Sequence, residues 1–136
     1  MNECLFCKIV KKEAPADVVY EDENFFAFLD INPNNPGHTL IIPKNHYENI
    51  YSLPDEILCD IGPIVKKISL AVKQGVKADG INIIMNNDNA AGQIVSHAHF
   101  HIIPRFADDG LRHWPGKPYA NKEESAKIAE KIKGSF

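Results

Sequence analysis

The chain is 136 residues long, which gives room for one ordinary domain with a real core and excludes a second of normal size. A formal charge of -3 gives no general attraction for nucleic acid, and the 44% hydrophobic share is that of a globular protein. No basic start followed by an apolar stretch opens the sequence, and no apolar run approaches the ~20 residues of a membrane helix. A cytoplasmic protein without membrane attachment is therefore expected. The three cysteines include one C-x-x-C, Cys4 and Cys7, so metal or redox use is favoured over a disulfide framework.

Taken in order, residues 4–12 place Leu5, Phe6 and Ile9 at helical spacing before Pro15, and Cys4 and Cys7 share one side of that helix. Val18 to Tyr20 and Phe25 to Ile31 read as strands joined through the polar turn at 21–24. The turn-forming run 32–37 leads to a third strand, His38 to Pro43. Ser52, Pro54 and Asp55 announce a long amphipathic helix, with apolar positions from Ile57 to Val72 and Gly75 near its end. Gly62-Pro63 inside it predicts a kink or break, and Cys59 is expected in the core. Ile81 to Met85 is a fourth strand, 86–92 a polar loop, and Val95 to Ile103 a fifth strand stopped by Pro104. A last helix is expected over Lys122 to Lys133. The fold class is α+β, a mainly antiparallel five-stranded sheet with a long helix and short terminal helices.

The fifth strand carries the most chemistry. In His97-Ala98-His99-Phe100-His101-Ile102-Ile103, strand alternation puts three imidazoles on one face and Ala98, Phe100 and Ile102 on the other. Histidine nitrogens serve as nucleophile, proton donor or metal ligand near neutral pH. A solvated polar face is the bland alternative, and ligation of a catalytic metal by all three is another.

The run matches His-φ-His-φ-His-φ-φ, with φ apolar, and so resembles the histidine triad (HIT) superfamily of nucleotide hydrolases and transferases. The resemblance extends to the C-x-x-C helix, to FLDI followed by a Pro-Gly loop and HTLIIPKNH, and to the NN-x-x-A-A-G-Q loop. It runs from about Cys4 to Pro104, so 1–136 is expected to be a single HIT domain with its core at 4–104 and a tail and helix at 105–136. What it implies is a Hint-like or bacterial HIT hydrolase acting on nucleoside 5'-phosphoramidates or dinucleoside polyphosphates. His99 would be the nucleophile and carry the nucleotidyl group, its other nitrogen held by the His97 carbonyl. His101 would serve the phosphate and leaving group. Histidine rather than glutamine at that third place points away from the uridylyltransferase branch.

By the same resemblance Asn86, Gly92 and Gln93 belong to a phosphate loop, and Asp30 accepts the ribose hydroxyls. Leu5, Phe6, Ile9, Phe28, Ile31 and Leu40 match positions that sandwich the base, and plain core is their alternative. His38 would give a supporting hydrogen bond near the catalytic histidine. Ile94 departs from the serine or threonine usual there, which leaves the leaving group open. Cys4, Cys7, His46 and His97 match a structural zinc set seen in some relatives, and two reduced, unligated thiols are the alternative. Arg112-His113-Trp114-Pro115 is similar to the tail of Hint proteins, and a homodimer is implied. A purine-nucleotide binding or interaction protein with incidental hydrolysis is the competing reading.

Overall fold

The computed structural model describes residues 4–136. In chain order the elements are α1 (Leu5–Val10), β1 (Val18–Glu21), β2 (Phe25–Leu29), β3 (Thr39–Pro43), α2 (Asp55–Gly75), β4 (Gly80–Ile84), β5 (Phe100–Arg105) and α3 (Lys122–Lys133). The five strands form one antiparallel sheet in the order β1-β2-β3-β5-β4. This is the expected α+β architecture.

Period-two alternation divides the sheet into two cores. Phe26, Phe28, Leu40 and Ile42 pack with Phe6 and Ile9 of α1 on one face. Phe25, Ala27, Ile41 and Ile102 pack with Ile61 and Ile68 of α2 on the other. Each fully buried side chain of this size contributes roughly 1.5–3 kcal/mol, so both layers hold the sheet. The register then fixes the site. Leu40 lies opposite His101, so His101 shares the α1 face while Ile102 beside it faces α2.

Several boundaries differ from the sequence expectation for identifiable reasons. The fifth strand starts at Phe100, not Val95, because the preceding backbone leaves the ladder: the His97 N–H donates to the Val95 carbonyl and the Ala98 N–H to that of Tyr47. Pro104 does not stop it. The Pro104 carbonyl accepts from Asn35 Nδ2 on the β3 side, where β3 has already ended, so its missing N–H costs no ladder bond. Pro63 does not break α2 either, because it and Cys59, whose carbonyl it leaves unpaired, sit on the exposed face within reach of water. Cys59 is consequently exposed and not core.

Ser52 does not cap α2. It closes a short 3-10 turn, Ile50–Ser52, in a capping box with Asn49, and Pro54 precedes α2 in extended backbone, with Asp55 and Glu56 in the first turn. Gly37 has φ of +99°, and a Cβ there would sit 2.8 Å from Val76 Cγ1, so the turn into β3 requires glycine. Among the described residues no helix is long and apolar enough to cross a membrane. The tail around Trp114 is exposed, and α3 buries none of its residues.

Candidate active site and metal centre

The three imidazoles of the β5 segment have three different environments. His97 is fully buried, and its Nε2–H donates to the Pro43 carbonyl at 2.8 Å. That bond leaves the Nδ1 lone pair facing Cys4 Sγ and Cys7 Sγ, each 3.6 Å away. His46 Nδ1 lies 3.3 Å from Cys7 Sγ, and the four donor atoms all fall within 4.8 Å of one another. A tetrahedral zinc site with bonds of about 2.0–2.3 Å has donor-to-donor edges of about 3.3–3.8 Å, so this quartet fits a zinc ion without rearrangement. Burial raises the Cys7 thiol and Cys4 adds to the effect, with Lys11 opposing; a divalent cation would favour the thiolates. Burial also pushes His97 down to about 4, which keeps it in the neutral, ligating form.

His99 is oriented the opposite way. Its Nδ1–H donates to the His97 carbonyl at 2.7 Å, which leaves a lone pair on Nε2. Phe6 meets its ring edge-on, with centroids 5.2 Å apart. Burial lowers its pKa, partly offset by the His97 carbonyl and Asp30, so the ring is neutral at physiological pH.

The His101 tautomer follows from a chain of three donors. The Asn34 N–H donates to His38 Nδ1 at 3.1 Å, so His38 carries its proton on Nε2. His38 Nε2–H then donates to His101 Nδ1 at 2.9 Å, so the His101 proton must be on Nε2. His101 Nε2 is buried and has no hydrogen-bond partner. An unsatisfied buried N–H is costly and points to a group that arrives with a ligand. Burial first, then His99 and His38, push His101 to about 4, while burial lowers His38 against the attraction of Asp30, whose Oδ2 lies 3.7 Å from His38 Nε2.

His99 and His101 open into one cleft of about 520 Å³. Phe6, Ile9, Phe28 and Leu40 give it an apolar floor, Leu5 and Ile31 stand half or more exposed at its rim, and Asp30 lies at its edge. Asp30 Oδ1 accepts the Asn32 N–H, which fixes the carboxylate beside the cleft. Gly92 also lines it, with φ of +93°.

Two expected cleft residues are placed elsewhere. Gln93 is buried and spends its amide on the loop itself. Its Oε1 accepts the Asp88 N–H, and its Nε2 donates to the carbonyls of Glu48 and Val95. It therefore does not reach into the cleft, and the reason is the unusual backbone of Asp88, at φ 71° and ψ 159°, whose N–H needs that acceptor. Asn86 lies behind Gly92, its Nδ2 3.7 Å from where a Cβ on Gly92 would stand, and does not line the cleft. The three triad histidines do not converge on one point, so they do not form a single metal site. The contributions that sequence reasoning missed are backbone groups: the Asn34 N–H and the Pro43 carbonyl carry no signature in side-chain identity.

A family profile described as the HIT domain matches residues 11–108. This chain belongs to the HIT family. An uncharacterized HIT-like protein of Methanocaldococcus jannaschii is 55% identical over 107 residues, 79% of this HIT chain and 82% of the relative. The adenosine 5'-monophosphoramidase of Schizosaccharomyces pombe is 42% identical over 135 residues, 96% and 98% of the two chains. Among solved structures, a Streptococcus mutans protein superposes with TM-score 0.93 at 42% identity, covering 99% of this chain and 86% of that one. A Zn-bound histidine triad family protein of Mycobacterium smegmatis has TM-score 0.77 at 37% identity, covering 98% of each.

Proposed function

We propose that this HIT protein hydrolyses nucleoside 5'-phosphoramidates or related nucleotidyl compounds, dinucleoside polyphosphates included, through a nucleotidyl group carried on His99. The observation that carries the reading is the pair of neutral imidazoles on one cleft in opposite tautomers, a lone pair on His99 Nε2 and an unpaired N–H on His101 Nε2. In the first step His99 Nε2 attacks phosphorus, the bond to the leaving nitrogen or oxygen breaks, and His101 Nε2–H supplies the proton that the departing atom takes up. The His97 carbonyl, bonded to His99 Nδ1–H, offsets the positive charge that develops on the ring. In the second step water attacks phosphorus, His101 accepts its proton, and His99 is released with a nucleoside monophosphate. The apolar floor from Phe6 to Leu40 takes the base, and Asp30 Oδ2 accepts the ribose hydroxyls. The relative named as an adenosine 5'-monophosphoramidase supports adenosine as the nucleoside.

Cys4, Cys7, His46 and His97 are proposed to hold a structural zinc ion, supported by their donor spacing and by the zinc-bound neighbour. When bound, the ion ties α1 to the start of the β5 segment and supplies no reacting group. A homodimer is supported by the free edge of β4 and by Leu70 and Ile83, each about half exposed beside it. Sedimentation at micromolar concentration tests the dimer, and a sharp monomer would contradict it. The reaction is tested by mixing the protein with adenosine 5'-phosphoramidate, quenching in base, where phosphohistidine links survive, and recording intact mass. An adenylyl adduct that disappears in His99→Ala is expected. Turnover without an adduct on any timescale, or no turnover of phosphoramidate or dinucleotide, contradicts the reading.

A further inference from the structure

Beside the catalytic cleft lies a second one of about 680 Å³, and Leu5, Ile94 and Val95 are common to the walls of both. Ile94 is 94% exposed and Leu5 48% exposed, so two large apolar side chains form an uncovered ridge between the clefts. The loop behind that ridge is braced. Gln93 ties it to the Glu48 and Val95 carbonyls on either side, and Ile50 N–H and Asn49 Nδ2 bond Asn87 and Asp88. Ile94 is thus displayed from a fixed backbone, beside two imidazoles that the nucleoside end of the cleft does not cover.

The geometry points to this ridge and the second cleft as the leaving-group subsite, one that takes an amine carried on an apolar alkyl or aryl body. This assignment rests on the hydrolase reading of the same cleft. Nucleoside and leaving group lie on opposite sides of the phosphorus, and the floor from Phe6 to Leu40 with Asp30 occupies one end of the first cleft. The other end is closed by Gly92 and opens over Ile94 into the second cleft, so a leaving group attached at phosphorus passes over the ridge. A hydroxyl-bearing residue at that place would hydrogen-bond a small leaving group. Isoleucine offers no such bond and gains only from apolar contact. Each methylene covered against such a wall is worth a fewfold to tenfold in specificity, so an aryl group on the ridge is worth about tenfold or more.

The test uses two adenosine 5'-phosphoramidates whose leaving amines have matched basicity, one an arylalkyl amine and one a hydroxyalkyl amine, so that intrinsic reactivity is the same. The full chain is expected to favour the arylalkyl compound at least about tenfold in kcat/KM. Ile94→Ser is expected to bring that ratio close to one, and Leu5→Ser to lower it by a smaller factor. Equal kcat/KM for the two compounds with the wild type, or an unchanged ratio in Ile94→Ser, overturns the subsite while the hydrolase reading stands. Failure of the wild type to turn over either compound, with no adenylyl adduct, overturns the hydrolase reading and the subsite with it.

Discussion

His97 and His101 are four residues apart on the same segment, both are buried against the α1 face, and both are pushed to about 4. Their chemistry nevertheless differs, because each has a neighbour on a different nitrogen. The Pro43 carbonyl takes the Nε2–H of His97 and leaves Nδ1 as a lone pair toward two thiols. His38 gives its Nε2–H to His101 Nδ1 and leaves Nε2 of His101 as a bare donor in the cleft. Between them His99 is set by its own upstream carbonyl. What separates a scaffold histidine from a reacting one here is the tautomer, fixed by a partner from outside the motif.

That contrast can be broken at several points. The largest effect is expected at the centre: His99→Ala or His99→Asn should lower turnover by 10³ or more with the adduct lost, as measured by steady-state kinetics and intact mass. Next comes the metal side. Replacing Cys4 or Cys7 by serine should drop zinc well below one equivalent per chain and cost several kcal/mol of stability, read by elemental analysis and denaturant unfolding. Activity of the wild type in EDTA should persist for as long as the fold does.

On the other side, His38→Ala removes the donor that sets the His101 tautomer, and kcat should fall about 10–100-fold with AMP affinity little changed. His38→Gln, which keeps a donor, should recover part of that loss. A smaller effect concerns pH. Because burial lowers the His99 pKa below the ordinary 6.5, its nucleophilic form persists as pH falls through 6.5, and the acid limb of kcat/KM should lie below that value. A limb centred at or above 6.5 would contradict a buried neutral nucleophile. The smallest effect is expected for Cys59→Ser, an exposed position where zinc content should stay the same and stability should change by less than about 0.5 kcal/mol.

Much of this was legible in the sequence because it is written in side-chain periodicity. The alternation in FFAFL and TLIIP specifies which residues face α1 and which face α2, and strand, turn and helix order follow from it. The histidine run and the C-x-x-C helix likewise announce two constellations, and the structure brings each together. The unread part lies where backbone groups decide. Nothing in the identities of Asn34 or Pro43 shows that their main-chain N–H and carbonyl set two tautomers. Gln93 looked like a phosphate ligand because its amide suits one, yet the strained Asp88 backbone claims that amide. Residues 95–99 kept the alternation of a strand while leaving the ladder, a departure that no hydrophobic pattern records.

The division of labour in the triad is tested most directly by long-range proton–nitrogen NMR of the histidine rings at neutral pH. Protons on Nε2 of His97, Nδ1 of His99 and Nε2 of His101 are the expected result. A proton on Nδ1 of His101, or on Nε2 of His99, would contradict the assignment of nucleophile and donor.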